Sequence, residues 1–302
     1  MYFFSQVPEA ENDFNITIQQ SHTVLSSLVS HPFLSDAIHS VVAFQVADKH
    51  TLVLVRHGES TWNLENKFTG WYDCPLSPKG TQEVIEAGRL IKQEGIVPNV
   101  AYTSLLQRAI RTLWHVLEET HLMWIPVQKA WQLNERHYGA LQGLDKQETV
   151  DKYGKDQVLL WRRSYDIPPP TVDKSSEHHP ASDPRYAGFE FAEHFTESLA
   201  TTLNRVVPYY EQEIVPQLKA GHTVLVTAHG NSLRALVKHL DGIDEATISE
   251  LNIPTGTPLI YELDDNLNVI PSSTAIAPLQ GRYLGDQVAI RARIEGVKNQ
   301  TK

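Results

Sequence analysis

Thr51-Leu52-Val53-Leu54-Val55 is a continuous run of apolar and β-branched residues, and Arg56-His57-Gly58-Glu59 follows it directly. Such a run, without alternating polar residues, predicts a strand that is buried on both faces, as in parallel sheets. A second run, Thr223-Val224-Leu225-Val226-Thr227, is followed in the same way by Ala228-His229-Gly230. The sequence therefore predicts two buried strands, each with a His-Gly pair at its carboxyl end.

Helical patterns separate these strands. Ser77-Pro78 is typical of a helix N-cap with proline at the first helical position, and Gly95 is a suitable residue to end that helix. Pro208 should bend a long helix over 196–218, because proline removes one helical hydrogen bond. The other predicted elements are a strand over 100–103, a helix beginning at Ser104, a surface loop over 166–184 and a strand over 259–263.

Strands that alternate with helices predict an α/β fold with a mostly parallel sheet flanked by helices on both faces. This pattern extends over residues 51–302, which are predicted to form one catalytic domain. Residues 1–50 mix polar patches with short apolar pieces and are predicted to be an N-terminal extension whose role the sequence does not indicate.

The composition narrows the class of protein. Hydrophobic residues make up 41% of the 302 residues and charged residues 21%, as in ordinary globular proteins, which argues against wholesale disorder. The 26 basic and 36 acidic side chains give a formal net charge of −10. An acidic chain of this kind is not expected to bind nucleic acid, although a local cationic pocket for an anionic substrate is compatible with it.

Several features of the sequence bear on the cellular location of the protein. The only cysteine, Cys74, cannot form an intramolecular disulfide, and no apolar run is long enough to predict a membrane span. The first 50 residues contain five acidic residues, one lysine and no arginine, unlike a transit peptide. The sequence therefore predicts a cytoplasmic protein.

The two His-Gly pairs indicate a phosphate site. Ligands bind at the carboxyl ends of strands in open parallel sheets, so His57 and His229 are expected to meet in one crevice. The glycines allow close backbone approach, and the following helices would direct free N–H groups towards a ligand. Arg56 and Arg108 add guanidinium donors. A metal site is the weaker alternative because no HExxH motif accompanies the histidines, and His178-His179 is expected to be solvated.

Five blocks in the region 51–302 carry a family resemblance. They are Leu54-Val55-Arg56-His57-Gly58-Glu59, Phe68-Thr69-Gly70-Trp71-Tyr72-Asp73, Leu133-Asn134-Glu135-Arg136-His137-Tyr138-Gly139, Trp161-Arg162-Arg163 and Ala228-His229-Gly230-Asn231-Ser232-Leu233-Arg234. The first resembles the signature of the histidine phosphatase superfamily. All five together resemble its cofactor-dependent phosphoglycerate mutases, and this implies a phosphoglycerate mutase-like fold.

The resemblance assigns roles to individual residues. His57 matches the nucleophile that accepts the phosphoryl group, and Glu135 matches the general acid and base. The residues that match the phosphate cradle are Arg56, Arg108, His229, Asn63, Gly230 and Asn231. Those that match groups for the substrate's carboxylate and second phosphate are Tyr138, Lys146, Arg162 and Arg163. His137 is interpreted as structural.

Two positions distinguish branches of the family. Mutases carry a serine after Gly-Glu and a Ser/Thr-Gly pair after the phenylalanine, and this chain has Ser60 and Thr69-Gly70 there. The resemblance therefore implies interconversion of 3- and 2-phosphoglycerate in glycolysis, primed by 2,3-bisphosphoglycerate and without a metal. It also implies a homo-oligomer, either a dimer or a tetramer. The alternatives are a histidine phosphatase acting on a small phosphorylated metabolite and a non-catalytic protein that binds such a metabolite.

Overall fold

The computed structural model describes residues 49–299, with the side chains of 296–299 excepted. Most of the predicted extension, residues 1–48, lies outside the described residues. The strands are β1 (His50–Arg56), β2 (Val100–Thr103), β3 (Val127–Lys129), β4 (Val172–Asp173), β5 (His194–Phe195), β6 (Val224–Ala228), β7 (Pro258–Leu263), β8 (Val269–Ile270) and β9 (Arg282–Tyr283). The α-helices are α1 (Thr61–Leu64), α2 (Pro78–Gln93), α3 (Gln107–Thr120), α4 (Lys146–Tyr153), α5 (Lys155–Arg163), α6 (Leu199–Tyr209), α7 (Val215–Lys219), α8 (Gly230–Asp241), α9 (Glu245–Glu250) and α10 (Gln287–Asn299).

The central sheet has the strand order β3-β2-β6-β1-β7-β8, and β9 pairs with β7. Strands β3, β2, β6 and β1 are parallel, and β1 and β6 are direct neighbours with Arg56 opposite Ala228. The His57 amide continues this ladder by donating to the Ala228 carbonyl at 3.0 Å. The register therefore brings both His-Gly pairs to the same edge of the sheet.

Strand β7 confirms the predicted strand over 259–263 but runs antiparallel to β1, with Leu54 opposite Leu259. The strands β8 and β9 pair with β7 and are antiparallel to it as well. The predicted α/β class with a mostly parallel sheet is therefore confirmed, and the strands β7, β8 and β9 add an antiparallel edge to it.

Helices cover both faces of the sheet because alternate residues of β1 point to opposite sides. Leu52 and Leu54 belong to one apolar cluster with residues of α6 and α8. Val53 and Val55 belong to another cluster with residues of α2 and α3. All four side chains are buried, and each contributes about 1.5–3 kcal/mol of hydrophobic stabilisation.

Two predicted helices have different bounds in the structure. The helix expected at Ser104 begins at Gln107, because the Ser104 hydroxyl instead accepts a hydrogen bond from the Leu106 amide at 3.1 Å. The long helix expected over 196–218 consists of α6, a π-helical turn at Tyr210–Ile214 and α7. Pro208 lies in the last turn of α6, where its missing N–H weakens the regular ladder before the π turn.

The predicted surface loop over 166–184 is more ordered than expected. It contains β4, which pairs with β5, and 3₁₀ turns at Pro180–Ser182 and Pro184–Tyr186. The expectation that His179 is solvated is wrong, since its side chain is buried and hydrogen-bonded to the Ala192 carbonyl and the Ala181 amide. Within residues 49–299, no helix has the length and apolar character needed to cross a membrane.

Candidate active site

His57 lies immediately after β1 with its ring orientation fixed. Nδ1 donates a hydrogen bond to the Gly58 carbonyl at 2.7 Å, so the lone pair lies on Nε2. Nε2 accepts a hydrogen bond from Arg108 Nε at 3.3 Å. Burial lowers the pKa of His57 well below its usual value, and the positive charges of Arg108 and Arg56 lower it further. His57 is therefore a neutral imidazole at neutral pH with Nε2 available as a nucleophile.

His229 lies beside His57, with ring centroids 4.9 Å apart. Its Nε2 is hydrogen-bonded to the Ser104 hydroxyl at 2.8 Å, and its buried Nδ1 has no hydrogen-bond partner among the described residues. Burial is the main reason that the pKa of His229 is well below its usual value, and Arg108 adds to the effect. The pair therefore consists of two neutral, desolvated imidazoles.

Two arginines surround the nucleophile. Arg108 is buried, and its terminal nitrogens donate to the carbonyls of Tyr72 at 2.9 Å and Gly70 at 2.8 Å. Arg56 donates to the Ile253 carbonyl at 2.7 Å, while its buried Nε has no partner among the described residues. An unpaired buried guanidinium N–H beside a nucleophile favours binding of an anion there, because it would otherwise remain unsatisfied.

Glu135 approaches the histidines from the segment after β3. One carboxylate oxygen, Oε1, accepts hydrogen bonds from the amides of Arg136 at 2.8 Å and Asn231 at 3.0 Å. A Cβ at Gly230 would lie 3.4 Å from the Arg56 guanidinium and 3.6 Å from Glu135 Oε2. The small residue at 230 therefore lets the start of α8 lie against the reactive groups.

Gly58 has a different role from the expected close approach to a ligand. A Cβ at this position would lie 2.2 Å from the Gly80 carbonyl oxygen, and a Cβ at Gly80 would lie 2.0 Å from the Glu59 carbonyl oxygen. The two glycines thus allow the chain after β1 to contact the first turn of α2, backbone against backbone.

The expected supply of free helix N–H groups is found only in part, since the Gly230 amide at the start of α8 has no hydrogen-bond partner among the described residues but its neighbours do. Helix α1 is only four residues long, and Ser60 caps it by accepting a hydrogen bond from the Asn63 amide. At the start of α8, the Asn231 amide is engaged by Glu135 and the His229 amide by the Ser232 hydroxyl. Side chains, rather than helix ends, are therefore the principal free donors of this site.

A second polar group lies at the other end of the site. Arg136 stacks over the Tyr138 ring at 4.4 Å, and Arg163 donates to the Asn252 side chain at 3.0 Å. Burial lowers the pKa of Lys146 to about 8, and the charge of Arg162 adds to this effect. The pKa of Arg162 is lowered mainly by its own burial. These crowded cations are partly desolvated and favour an anionic ligand.

Both groups line one cavity of about 430 Å³. The predicted site residues in its wall are Arg56, His57, Asn63, Thr69, Gly70, Arg108, Glu135, Tyr138, Lys146, Arg162, Arg163, Gly230 and Asn231. Ser60 and His229 are not in the wall: both side chains are fully buried, Ser60 as a helix cap and His229 beside His57. His137 is also outside it, with Nε2 donating to the His178 carbonyl at 2.9 Å.

Several wall residues were not identified from the sequence. They include Lys67, Lys79, Glu83, Arg234, Asn252, Thr255 and Arg293. Arg234 could have been found, because it closes the last family-like block, and its terminal nitrogen donates to Asn231 Oδ1 at 2.8 Å. Arg293 lies on α10, far along the chain from every block, and no local pattern marks it.

The structure also brings together a possible metal ligand set. Among the described residues, His57, Glu135 and His229 each place one ligand atom within 4.8 Å of the others. The free nitrogen of His57, Nε2, faces Arg108, whose Nε donates to it at 3.3 Å. A cation here would face the guanidinium groups of Arg108 and Arg56, so the donor set fits an anion better. The metal-free mechanism remains a prediction.

Comparison with known proteins places the chain in a family. The family model of the histidine phosphatase superfamily (branch 1) matches residues 52–273. A mycobacterial glucosyl-3-phosphoglycerate phosphatase is similar in structure, with 19% identity, a TM-score of 0.57 and coverage of 73% of this chain and 96% of its own. The α-ribazole phosphatase of Shigella flexneri has 17% identity, a TM-score of 0.55 and coverage of 78% and 99%. YhfR of Bacillus stearothermophilus has 23% identity, a TM-score of 0.55 and coverage of 73% and 94%.

At these identities the structures establish a common fold only. Because the family model covers well over half of the sequence, the chain belongs to the histidine phosphatase superfamily (branch 1).

Proposed function

We propose that this protein is a phosphoglycerate mutase that interconverts 3- and 2-phosphoglycerate through a phosphorylated His57. The observation that carries the proposal is the presence of two anion-binding groups in one cavity. One group surrounds His57 with arginines, and the other contains Tyr138, Lys146 and the arginine pair of α5. A small acid with a phosphate at one end and a carboxylate at the other matches both groups at once.

His57 is the group that carries the phosphoryl. Its Nε2 attacks phosphorus while the P–O bond to the substrate breaks, and the Nδ1–H bond to Gly58 stabilises the positive charge that develops on the ring. Arg56 and Arg108 hold the charge that is spread over the equatorial oxygens. The neutral state of His57, which follows from its lowered pKa, keeps the lone pair available.

Glu135 is the proton donor and acceptor for the substrate hydroxyls. The two amide N–H groups on Oε1 fix the carboxyl, and Oε2 is the oxygen that lies beside Gly230. A departing alkoxide takes a proton from this carboxyl, and the same carboxylate removes a proton when the alternative hydroxyl attacks the phosphohistidine.

The primer 2,3-bisphosphoglycerate fits the same arrangement, because its second phosphate and carboxylate need cations remote from His57. Lys146, Arg162 and Arg163 are the residues that would hold this remote end. When bound, the bisphosphate supplies the phosphoryl group that loads His57. A cytoplasmic location and a dimeric or tetrameric state, both expected from the sequence, belong to the same proposal.

Hydrolysis of a phosphorylated metabolite is the second candidate. It is favoured by the three solved structures described above, because two of them are named as phosphatases. In that reaction water, rather than a bound hydroxyl acid, would take the phosphoryl group from His57. The two functions share every residue around the nucleophile and differ in the use of the remote cations.

One experiment separates the candidates. The protein is first freed of phosphate and then incubated with 3-phosphoglycerate, with and without catalytic 2,3-bisphosphoglycerate, and the products are followed by ³¹P NMR. A mutase forms 2-phosphoglycerate only with the primer, and EDTA has no effect. Stoichiometric release of inorganic phosphate without 2-phosphoglycerate would establish the phosphatase instead.

His57→Ala should neither turn over nor acquire acid-labile phosphate. Unimpaired ligand binding without turnover by the unmodified protein would favour the non-catalytic alternative.

A further inference from the structure

A buried ion pair lies behind the active site. Arg205 Nε donates to Glu197 Oε1 at 2.6 Å, and one terminal nitrogen donates to Oε2 at 2.8 Å. The two side chains are 8% and 6% exposed, and neither belongs to the wall of the cavity. Bidentate, desolvated pairs of this kind have strong geometric preferences, so Arg205 and Glu197 fix each other's position.

The rest of the Arg205 guanidinium is directed at the main chain that carries Glu135. It donates to the carbonyl oxygens of Gln132 at 2.6 Å, Asn134 at 3.1 Å and Glu135 at 2.9 Å. Irregular backbone has few internal hydrogen bonds, so three bonds to one cation constrain this segment strongly.

Glu197 holds the other end of the same segment. Its Oε2 accepts from the His137 amide at 2.8 Å, and its own amide donates to the His137 carbonyl at 3.0 Å. The ion pair therefore binds the segment 132–137 on both sides of Glu135. The Trp71 indole N–H, whose ring lies under the Arg205 guanidinium, donates to the Glu135 carbonyl as well and adds a further bond to the same segment.

We infer that Arg205, fixed by Glu197, is a positioning residue for the Glu135 carboxyl. The inference rests on the proposed function, in which Glu135 protonates the departing alkoxide. Arg205 touches neither His57 nor the cavity, so its loss should impair proton transfer and leave the nucleophile intact. A displacement of the carboxyl by about 1 Å costs on the order of 10²-fold in rate.

Two phosphoryl donors distinguish positioning from general support of the fold. With 2,3-bisphosphoglycerate, the P–O bond breaks as the bond to His57 Nε2 forms, and the departing alkoxide needs the proton of Glu135. With phosphoramidate, the P–N bond to an already protonated nitrogen breaks and neutral ammonia leaves, so no proton from Glu135 is needed. Formation of acid-labile phosphoprotein is followed by rapid quench and intact mass, with His57→Ala correcting for other histidines.

The test variant is Arg205→Lys, which keeps a cation beside Glu197 but cannot reach three carbonyls. Arg282→Lys is the matched control, since Arg282 pairs with Glu94 away from the cavity. We expect Arg205→Lys to be phosphorylated about 10²-fold more slowly by 2,3-bisphosphoglycerate and at the normal rate by phosphoramidate. Glu135→Gln should behave in the same way, and the control should match the unmodified protein with both donors.

The outcomes separate the inference from the proposed function. Equal slowing of Arg205→Lys with both donors, or none with either, would overturn the positioning role. A normal Glu135→Gln rate with 2,3-bisphosphoglycerate would instead overturn the role of Glu135 in the proposed function. Phenyl phosphate, run in parallel, is a phosphoester without a carboxylate. If the unmodified protein is phosphorylated by phenyl phosphate and not by 2,3-bisphosphoglycerate, the mutase proposal fails. The positioning role is then still tested by comparing phenyl phosphate with phosphoramidate as donors for Arg205→Lys.

Discussion

The charge of Lys146 should make substrate binding depend on pH in the alkaline range. Burial and the charge of Arg162 lower its pKa to about 8, so the side chain is a cation at neutral pH and loses its charge as the pH rises through that value. We therefore expect the KM for 3-phosphoglycerate to rise above pH 8, with little change in kcat. Lys146→Arg should remove this rise, because a guanidinium stays charged. Steady-state kinetics on either side of pH 8 provide the measurement, and an identical rise in Lys146→Arg would contradict the assignment.

The buried ring of His137 should make the stability of the protein depend on pH in the acid range. Burial lowers its pKa to about 4 from an ordinary value of 6.5, and its ring is hydrogen-bonded in the neutral form to the His178 carbonyl and the Gly139 amide. The depressed pKa means that the unfolded chain binds a proton first as the pH falls. This contribution of His137 to the free energy of unfolding is about 3 kcal/mol. It is fully present above about pH 6.5, declines below that value and is lost as the pH falls through about 4.

This effect can be measured by urea unfolding of the unmodified protein and His137→Gln between these two pH values. The variant should be less stable at neutral pH but should lose less stability on acidification. Val288→Gln serves as the control, because that side chain is 78% exposed and carries no titratable group, so the slope should be unchanged. Parallel slopes for the unmodified protein and His137→Gln would mean that His137 is not a buried neutral histidine.

At the scale of elements, the junction of β1 and α2 depends on two glycines. Gly58→Ala would place a Cβ 2.2 Å from the Gly80 carbonyl, and no flexible side chain is available to move aside. We expect the free energy of unfolding to fall by about 3 kcal/mol and kcat to fall as well, because the Gly58 carbonyl holds His57 Nδ1.

Gly188→Ala is a useful control for this substitution. Gly188 has φ +91° with open space around it, so alanine there adds backbone strain without a clash and should cost only about 1–2 kcal/mol. Both variants can be compared by thermal and urea unfolding. Equal losses of stability would show that the close approach of the two backbones is unimportant.

The elements show which features local sequence can predict. The continuous apolar runs identify β1 and β6 because a strand buried on both faces needs them, and the His-Gly pairs then fall at strand ends. The antiparallel direction of β7 is not encoded locally, since Leu259–Leu263 would look the same in either direction. The loss of the free N–H at Asn231 likewise depends on Glu135, 96 residues away. The roles of Arg205 and Glu197 could not be predicted from the sequence for the same reason. Apart from each other, their partners are backbone carbonyls and amides, which no sequence pattern displays.

At the scale of the whole molecule, net charge and site charge have opposite signs. The chain carries a formal charge of −10, yet nine of the charged side chains in the cavity wall are cationic and only three are acidic. A cleft lined by one sign of charge concentrates counter-ions even when the molecule as a whole repels them. The same contrast explains why the acidic composition argues against nucleic acid as a partner but not against a small phosphorylated acid.

This contrast predicts the salt dependence of catalysis. If the cavity governs the approach of substrate, kcat/KM for 3-phosphoglycerate should fall by about tenfold between about 0.02 M and about 0.5 M potassium chloride, because screening weakens the attraction. If net charge governed it, added salt would relieve repulsion and kcat/KM would rise. Arg293→Gln removes an exposed cation from the cavity wall and should make the fall shallower, whereas Arg89→Gln, on the outer face of α2, should not change it. A rise with salt in the unmodified protein, measured in the presence of saturating primer, would show that the cationic wall does not attract the substrate.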